Sequence, residues 1–132
     1  METDKCPVER LDRFARFLGV SFDSVEDGHA ILSLDLKEEY QNGWKSAQGG
    51  VVYTLADLAF AAATNTDEEN LTVTTTANIN YIRPARTAKL VAEAATFHRG
   101  GKTVICDVTV RDDAGNTVAV CRILGFRVAK GH

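Results

Sequence analysis

Apolar positions change rhythm several times along the chain, and each rhythm predicts a different element. From Val8 to Leu18 the residues Leu11, Phe14, Ala15, Phe17 and Leu18 recur at helical spacing with charges between them, and Gly19 supplies a stop, so a short amphipathic helix is expected. Val20 to Val25 and His29 to Leu36 read as extended. Ala30, Leu32, Leu34 and Leu36 alternate in the second run, and Glu26-Asp27-Gly28 provides the turn of a hairpin. Lys37 to Gln48 breaks the pattern around the turn dipeptide Asn42-Gly43. Gly49 to Thr64 then carries Val51, Val52, Leu55, Leu58, Ala59 and Ala62 on one stripe. Its alanine-rich composition favours a long, largely buried helix.

After a polar break at 66–70, Leu71 to Ile82 alternates Leu71, Val73, Ala77, Ile79 and Tyr81 against Thr72, Thr74, Thr76, Asn78 and Asn80, the signature of a two-faced strand. Three more extended runs, 88–98, 102–111 and 117–128, are separated by Arg99-Gly100-Gly101 and by Asp112-Asp113-Ala114-Gly115-Asn116, both hairpin turns in composition. No βαβ alternation, internal repeat or linker interrupts this order. The pattern therefore predicts one α+β domain over residues 1–132, an antiparallel β-sheet wrapped around a single apolar helix.

Composition narrows the function classes. With 132 residues, 45% of them hydrophobic and 25% charged, the chain fits a globular domain that needs no covalent staples. A net charge of −3 offers no basic field for nucleic acid, although local Lys/Arg clusters could hold an anionic small molecule. Cys6, Cys106 and Cys121 are odd in number, far apart and without CxxC spacing, so they read as reduced thiols. Acidic residues interrupt the N-terminal segment, and no run of about 18 apolar residues occurs, which predicts a cytoplasmic protein that spans no membrane.

One residue does not suit its surroundings. Asp57 is the only carboxylate in the apolar run GGVVYTLADLAFAAAT, and burying an unpaired carboxylate costs several kcal/mol. Either it lies on the one wet strip of the helix or accepts a backbone hydrogen bond, or it does chemistry. Upstream, Asn42-Gly43 and Gln48-Gly49-Gly50 bring free backbone N–H groups and the positive dipole end to the helix start. Glycines there suit close approach of a substrate carbonyl, and they suit a tight turn equally well.

The string from Asn42 to Asp57, Asn-Gly, a short gap, Gln-Gly-Gly, then Leu-Ala-Asp, resembles the hotdog-fold acyl-CoA thioesterases of the phenylacetate-pathway type. The likeness extends to the long central helix, the strand ending in Asn80-Tyr81-Ile82-Arg83-Pro84, the Arg99-Gly100-Gly101-Lys102 hairpin and the closing strands. It implies a hotdog fold, an acyl-CoA substrate and no cofactor or metal. It also implies that Asp57 is nucleophile or general base, that Gly49 donates its N–H to the thioester oxygen, and that Asn42 helps to hold substrate or water. Many relatives read His-Gly-Gly where this chain has Gln48-Gly49-Gly50. Gln48 cannot titrate near neutrality, so it is expected to orient rather than to act as acid or base.

Gly49 and Asp57 lie eight helical positions apart, about 12 Å along the axis, too far for one reacting carbon to touch both. If both serve one thioester they come from different protomers, which calls for a homodimer with two shared sites. The resemblance adds pairing of dimers into a homotetramer. Around Asp57, the residues Gly50, Tyr53, Phe60, Ala61 and Thr64 would line an acyl pocket suited to an aryl or medium-chain group. Arg83, Pro84, Arg86, Arg99 and Lys102 lie in or beside turns from which the coenzyme A phosphates could be reached. His29, His98 and His132 are scattered and are expected to be structural or solvent-facing. Two rival readings are a non-catalytic acyl-CoA sensor and a purely structural subunit. A hydratase of this fold would need an Asp-His pair with an Asn-Pro between, which the chain lacks.

Overall fold

The computed structural model describes residues 5–129, and His132 lies outside them. Helices α1 (Pro7–Leu11) and α2 (Arg13–Leu18) open the chain. Strands β1 (Ser21–Glu26) and β2 (His29–Asp35) follow, then a 3-10 turn at Glu38–Tyr40, the long helix α3 (Gly49–Thr64), and strands β3 (Asn70–Tyr81), β4 (Lys89–Arg99), β5 (Thr103–Asp112) and β6 (Thr117–Ala129). The six strands form one antiparallel sheet in the order β1-β2-β4-β5-β6-β3. This is the sheet-around-helix arrangement that the alternation predicted.

The sheet curls around α3 because both present matching apolar faces. Val52, Leu55, Ala56, Ala59, Phe60 and Ala63 of the helix share one buried cluster with Leu32 and Leu34 of β2, Leu90 and Ala92 of β4, Val108 and Val110 of β5 and Ile123 of β6. The alanines let the helix approach the sheet closely, and Phe60 fills the gap that remains. It does so over Gly125, where an added Cβ would lie 2.7 Å from Phe60 Cζ and 2.7 Å from Thr72 Cγ2. At its far end the helix is tied to the first hairpin, since Gly28 N–H donates to Ala63 O at 2.8 Å.

Two expectations are corrected. The single helix over residues 8–18 is broken at Asp12, whose backbone is extended (φ −78, ψ 112). Its Oδ1 accepts the Ala15 N–H at 2.8 Å, so a side chain that competes for local donors ends one helix and caps the next. Ala15 and Leu18 are buried, while Leu11, Phe14 and Phe17 face outward.

The alternation of β3 also fails to hold throughout. A bulge between Thr74 and Thr76 shifts the register against β6. Before it, Thr72 is the buried residue and Leu71 and Val73 are exposed; beyond it, Ala77 and Ile79 pack against the core. Among the described residues no helix is long and apolar enough to cross a membrane.

Candidate active site

The start of α3 is assembled by the loop before it and by the end of β3. Ala47 N–H donates to Ala85 O at 2.8 Å and Gln48 N–H to Tyr40 O at 2.9 Å, which fixes the entry of the helix. Gln48 is the N-cap, with extended backbone (φ −62, ψ 133), and its Oε1 accepts the Gly50 N–H at 3.2 Å. Its backbone oxygen takes the N–H groups of Val51 and Val52. Gly49 N–H alone among these first donors has no hydrogen-bond partner among the described residues, and Gly49 is half-exposed. Tyr81 Oη donates to Gly49 O at 2.9 Å, anchoring this turn to the last residue of β3.

Asn42 braces the preceding loop. Its Oδ1 accepts the N–H groups of Trp44 (2.8 Å) and Ser46 (3.1 Å), so only its amide nitrogen is left to face a ligand.

Two turns along the helix, Asp57 is half-buried, and its Oδ1 accepts a hydrogen bond from Thr74 Oγ1 on β3 at 2.9 Å. The wet-strip reading of Asp57 is therefore met in part: Tyr53, Asp57 and Ala61, at four-residue spacing, form a partly open stripe on a helix that from Leu55 onward is otherwise buried. Burial pushes the Tyr53 phenol above its ordinary range, and the charge of Asp57 one turn on pushes it further, so Tyr53 stays protonated as a donor. Asp57 and Ala61 form the floor of an open cleft of about 440 Å³, walled by α1 and by the first half of β3.

The expected acyl-pocket residues divide. Ala61 and Asp57 line the cleft, Tyr53 borders the same stripe, and Gly50 is exposed at the helix start. Phe60 and Thr64 do not line it: Phe60 is 1% and Thr64 4% exposed, and Thr64 Oγ1 donates to Phe60 O within the helix. Phe60 points to the sheet because one step around the helix from Ala61 turns a side chain through about 100°. Thr64, seven positions after Asp57 and on nearly the same face, is instead covered at the helix end, where its backbone oxygen accepts from Thr72 Oγ1 at 3.3 Å.

The expected cations divide too. Arg83, Pro84 and Arg86 lie in the loop after β3, on the side of the helix N-terminus, whereas Arg99 and Lys102 belong to the β4–β5 hairpin at the other end. Arg99 is bidentate to Asp27, at 3.0 and 3.1 Å, a clasp between two hairpins. Its hydrogen bonds, with that of Thr66, hold the Asp27 carboxyl below the usual range. Thr74 is the site residue that the sequence did not single out. The signal available was a run of threonines on a strand of otherwise apolar rhythm.

The chain thus carries two separate features on one helix: an N–H without a partner among the described residues at the helix start, and a hydrogen-bonded carboxylate over a cleft eight positions later. Residues 46–119, which span both, match the family model described as "Thioesterase superfamily". The acyl-coenzyme A thioesterase PaaI of Escherichia coli is 30% identical over 118 residues, covering 89% of this chain and 84% of that protein. The structure of PaaI from the E. coli phenylacetic acid degradation operon superposes with a TM-score of 0.87 at 29% identity, over 92% of this chain and 88% of the other. A mutant of the phenylacetic acid degradation protein PaaI from Thermus thermophilus gives a TM-score of 0.82 at 28% identity, over 89% and 100%. The fold is therefore the hotdog fold that the resemblance implied, and the chain belongs to the thioesterase superfamily and is a thioester hydrolase.

Proposed function

We propose that the protein hydrolyses an aryl- or medium-chain acyl-CoA to the free acid and coenzyme A, at sites shared between two protomers. The observation that carries this reading is the Gly49 N–H, without a partner among the described residues, on the same helix as Asp57, which Thr74 holds at the floor of a cleft of mixed apolar and polar lining. Gly49 N–H, reinforced by the helix dipole, stabilises the oxyanion that forms as the thioester carbonyl is attacked. Asp57 provides the attack, with its own oxygen or with a water that it deprotonates. A thiolate is a good leaving group, so no strong acid is required. Gln48, by capping Gly50, keeps Gly49 N–H as the donor that faces substrate.

Since about 12 Å of helix separates the two groups, the partner's Gly49 must meet this protomer's Asp57. The unpaired edge of β3, where Leu71, Val73, Tyr81 and Ile82 are exposed, offers a route. Pairing of β3 with the β3 of a second copy across a two-fold axis sets the two α3 helices antiparallel, the start of each toward the middle of the other. The same operation carries Arg83 and Arg86 of one protomer toward the end where Arg99 and Lys102 of the other lie, a reach consistent with a nucleotide diphosphate.

The test is release of free thiol from aromatic and aliphatic acyl-CoAs by the wild type and by Asp57→Asn. A loss of at least about a hundredfold, some 2.7 kcal/mol of barrier, is expected in the variant. Binding of acyl-CoA by both proteins with turnover by neither would replace this reading with an acyl-CoA sensor.

A further inference from the structure

One wall of the cleft over Asp57, helix α1, carries residues that take no part in the chemistry described above. Helix α1 packs on α3 and presents Val8 and Leu11 to the cleft, opposite Leu71 and Val73 of β3, with Ala61 as the floor beyond Asp57. These side chains are apolar, yet Leu11 is 58% and Leu71 41% exposed, so the cleft keeps water against hydrocarbon that a ligand could cover.

The far end is polar. Asn65, whose Nδ2 donates to Ala61 O and Thr72 O, and Asp67, which accepts from Glu69 N–H and Asn70 Nδ2, close the cleft there. Asn65 stands eight positions after Asp57, which leaves about 12 Å of trough, room for a ring or a medium-length chain but not for a long one.

α1 is short, and its position rests on specific ties. Cys6 Sγ accepts the Glu9 N–H at 3.4 Å, Asp12 N–H donates to Val8 O at 2.9 Å, and Arg10 pairs with Glu68 beyond the end of α3. The Arg10–Glu68 pair thus straps α1 across the trough at the end remote from the helix start.

We propose that α1 is the selectivity wall of the acyl pocket, with Val8 and Leu11 touching the acyl tail of the thioester and Leu11 setting how much tail is accepted. This rests on the acyl-CoA reading above and names residues that discriminate between its substrates. The occupant is the acyl tail because the trough is continuous with Asp57, and Val8, Leu11, Ala61, Leu71 and Val73 offer it hydrocarbon between the polar groups of Asp12, Asn70, Thr72 and Thr74.

Hydrolytically inert S-alkyl thioethers of coenzyme A separate this proposal from the catalytic one, since they report binding whether or not turnover occurs. Leu11→Trp, which fills the trough from an exposed position, is expected to weaken binding of S-decyl-CoA at least about tenfold while S-ethyl-CoA stays within about twofold. Phe17→Ala, at a still more exposed apolar site on α2 that does not line the cleft, is expected to alter neither. Unchanged S-decyl-CoA binding in Leu11→Trp, or an equal loss for both thioethers, would overturn the wall. Absence of thiol release from acyl-CoAs by the wild type would sink the catalytic reading alone.

Discussion

At the scale of single residues, Asp57 depends on one neighbour. Thr74 donates its hydroxyl to the carboxylate, and a hydrogen bond to a charged group is worth roughly 1.5–3 kcal/mol. Thr74→Val should therefore lower kcat about tenfold or more with little change in KM, and Thr74→Ser should restore most of it. Steady-state kinetics on one acyl-CoA decides the point. Gly49 permits an equally local change. Proline is tolerated at the first helical position, and Gln48 already has the extended backbone that a following proline demands. Gly49→Pro removes one N–H and keeps the helix, so it is expected to reduce kcat by about 10²–10³ with an unaltered far-UV circular dichroism spectrum. The cysteines carry a pH signature: burial raises the Cys121 thiol to about 11 from its ordinary 9. The folded state then holds a proton that the unfolded chain releases. The contribution is complete below about pH 9 and is lost as pH rises toward 11, so the urea midpoint should fall over that window, and less so in Cys121→Ala. An unchanged slope in that variant would assign the alkaline loss to other groups.

At the scale of elements, the contact between α3 and the sheet is tightest at Gly125. Its neighbours are an aromatic ring that is itself fully buried and a threonine methyl, neither with space to withdraw. Gly125→Ala should cost about 1–3 kcal/mol, read as a lower denaturation midpoint at constant m-value. The bounds of α3 could be read from the chain because glycines and a run of alanines frame one apolar stripe over Gly49–Thr64. Hairpin turns were legible for the same kind of reason: Gly28 and Gly115 have positive φ, a conformation that glycine adopts at no steric cost. Two local features escaped. Asp12 splits the first helix by taking a backbone donor for its own side chain, a competition that periodicity does not register. The bulge in β3 changes which alternate residues face inward, and its location depends on pairing with β6.

At the scale of the whole molecule, the proposed sharing of sites between protomers predicts subunit complementation. Asp57→Asn and Gly49→Pro should each be nearly inactive on their own. When they are mixed and allowed to exchange, half of the dimers are mixed, and each mixed dimer holds one site with both native groups. About a quarter of wild-type activity should return, and activity that stays at the level of the parents would place both groups in one protomer. Much of this was readable in advance. The sequence by itself determined the order of elements, the sheet-around-helix class and the isolation of Asp57 in an apolar helix, because period, turn composition and the cost of burying charge are local properties. The separation of Gly49 from Asp57 followed from helical rise alone. The tertiary contacts alone settle that Phe60 and Thr64 are buried away from the cleft, that Arg99 is engaged by Asp27, that Thr74 holds Asp57 and that α1 walls the cleft. Each joins residues far apart in sequence, and such contacts are set by how the sheet curls around the helix, which no window of neighbouring residues encodes.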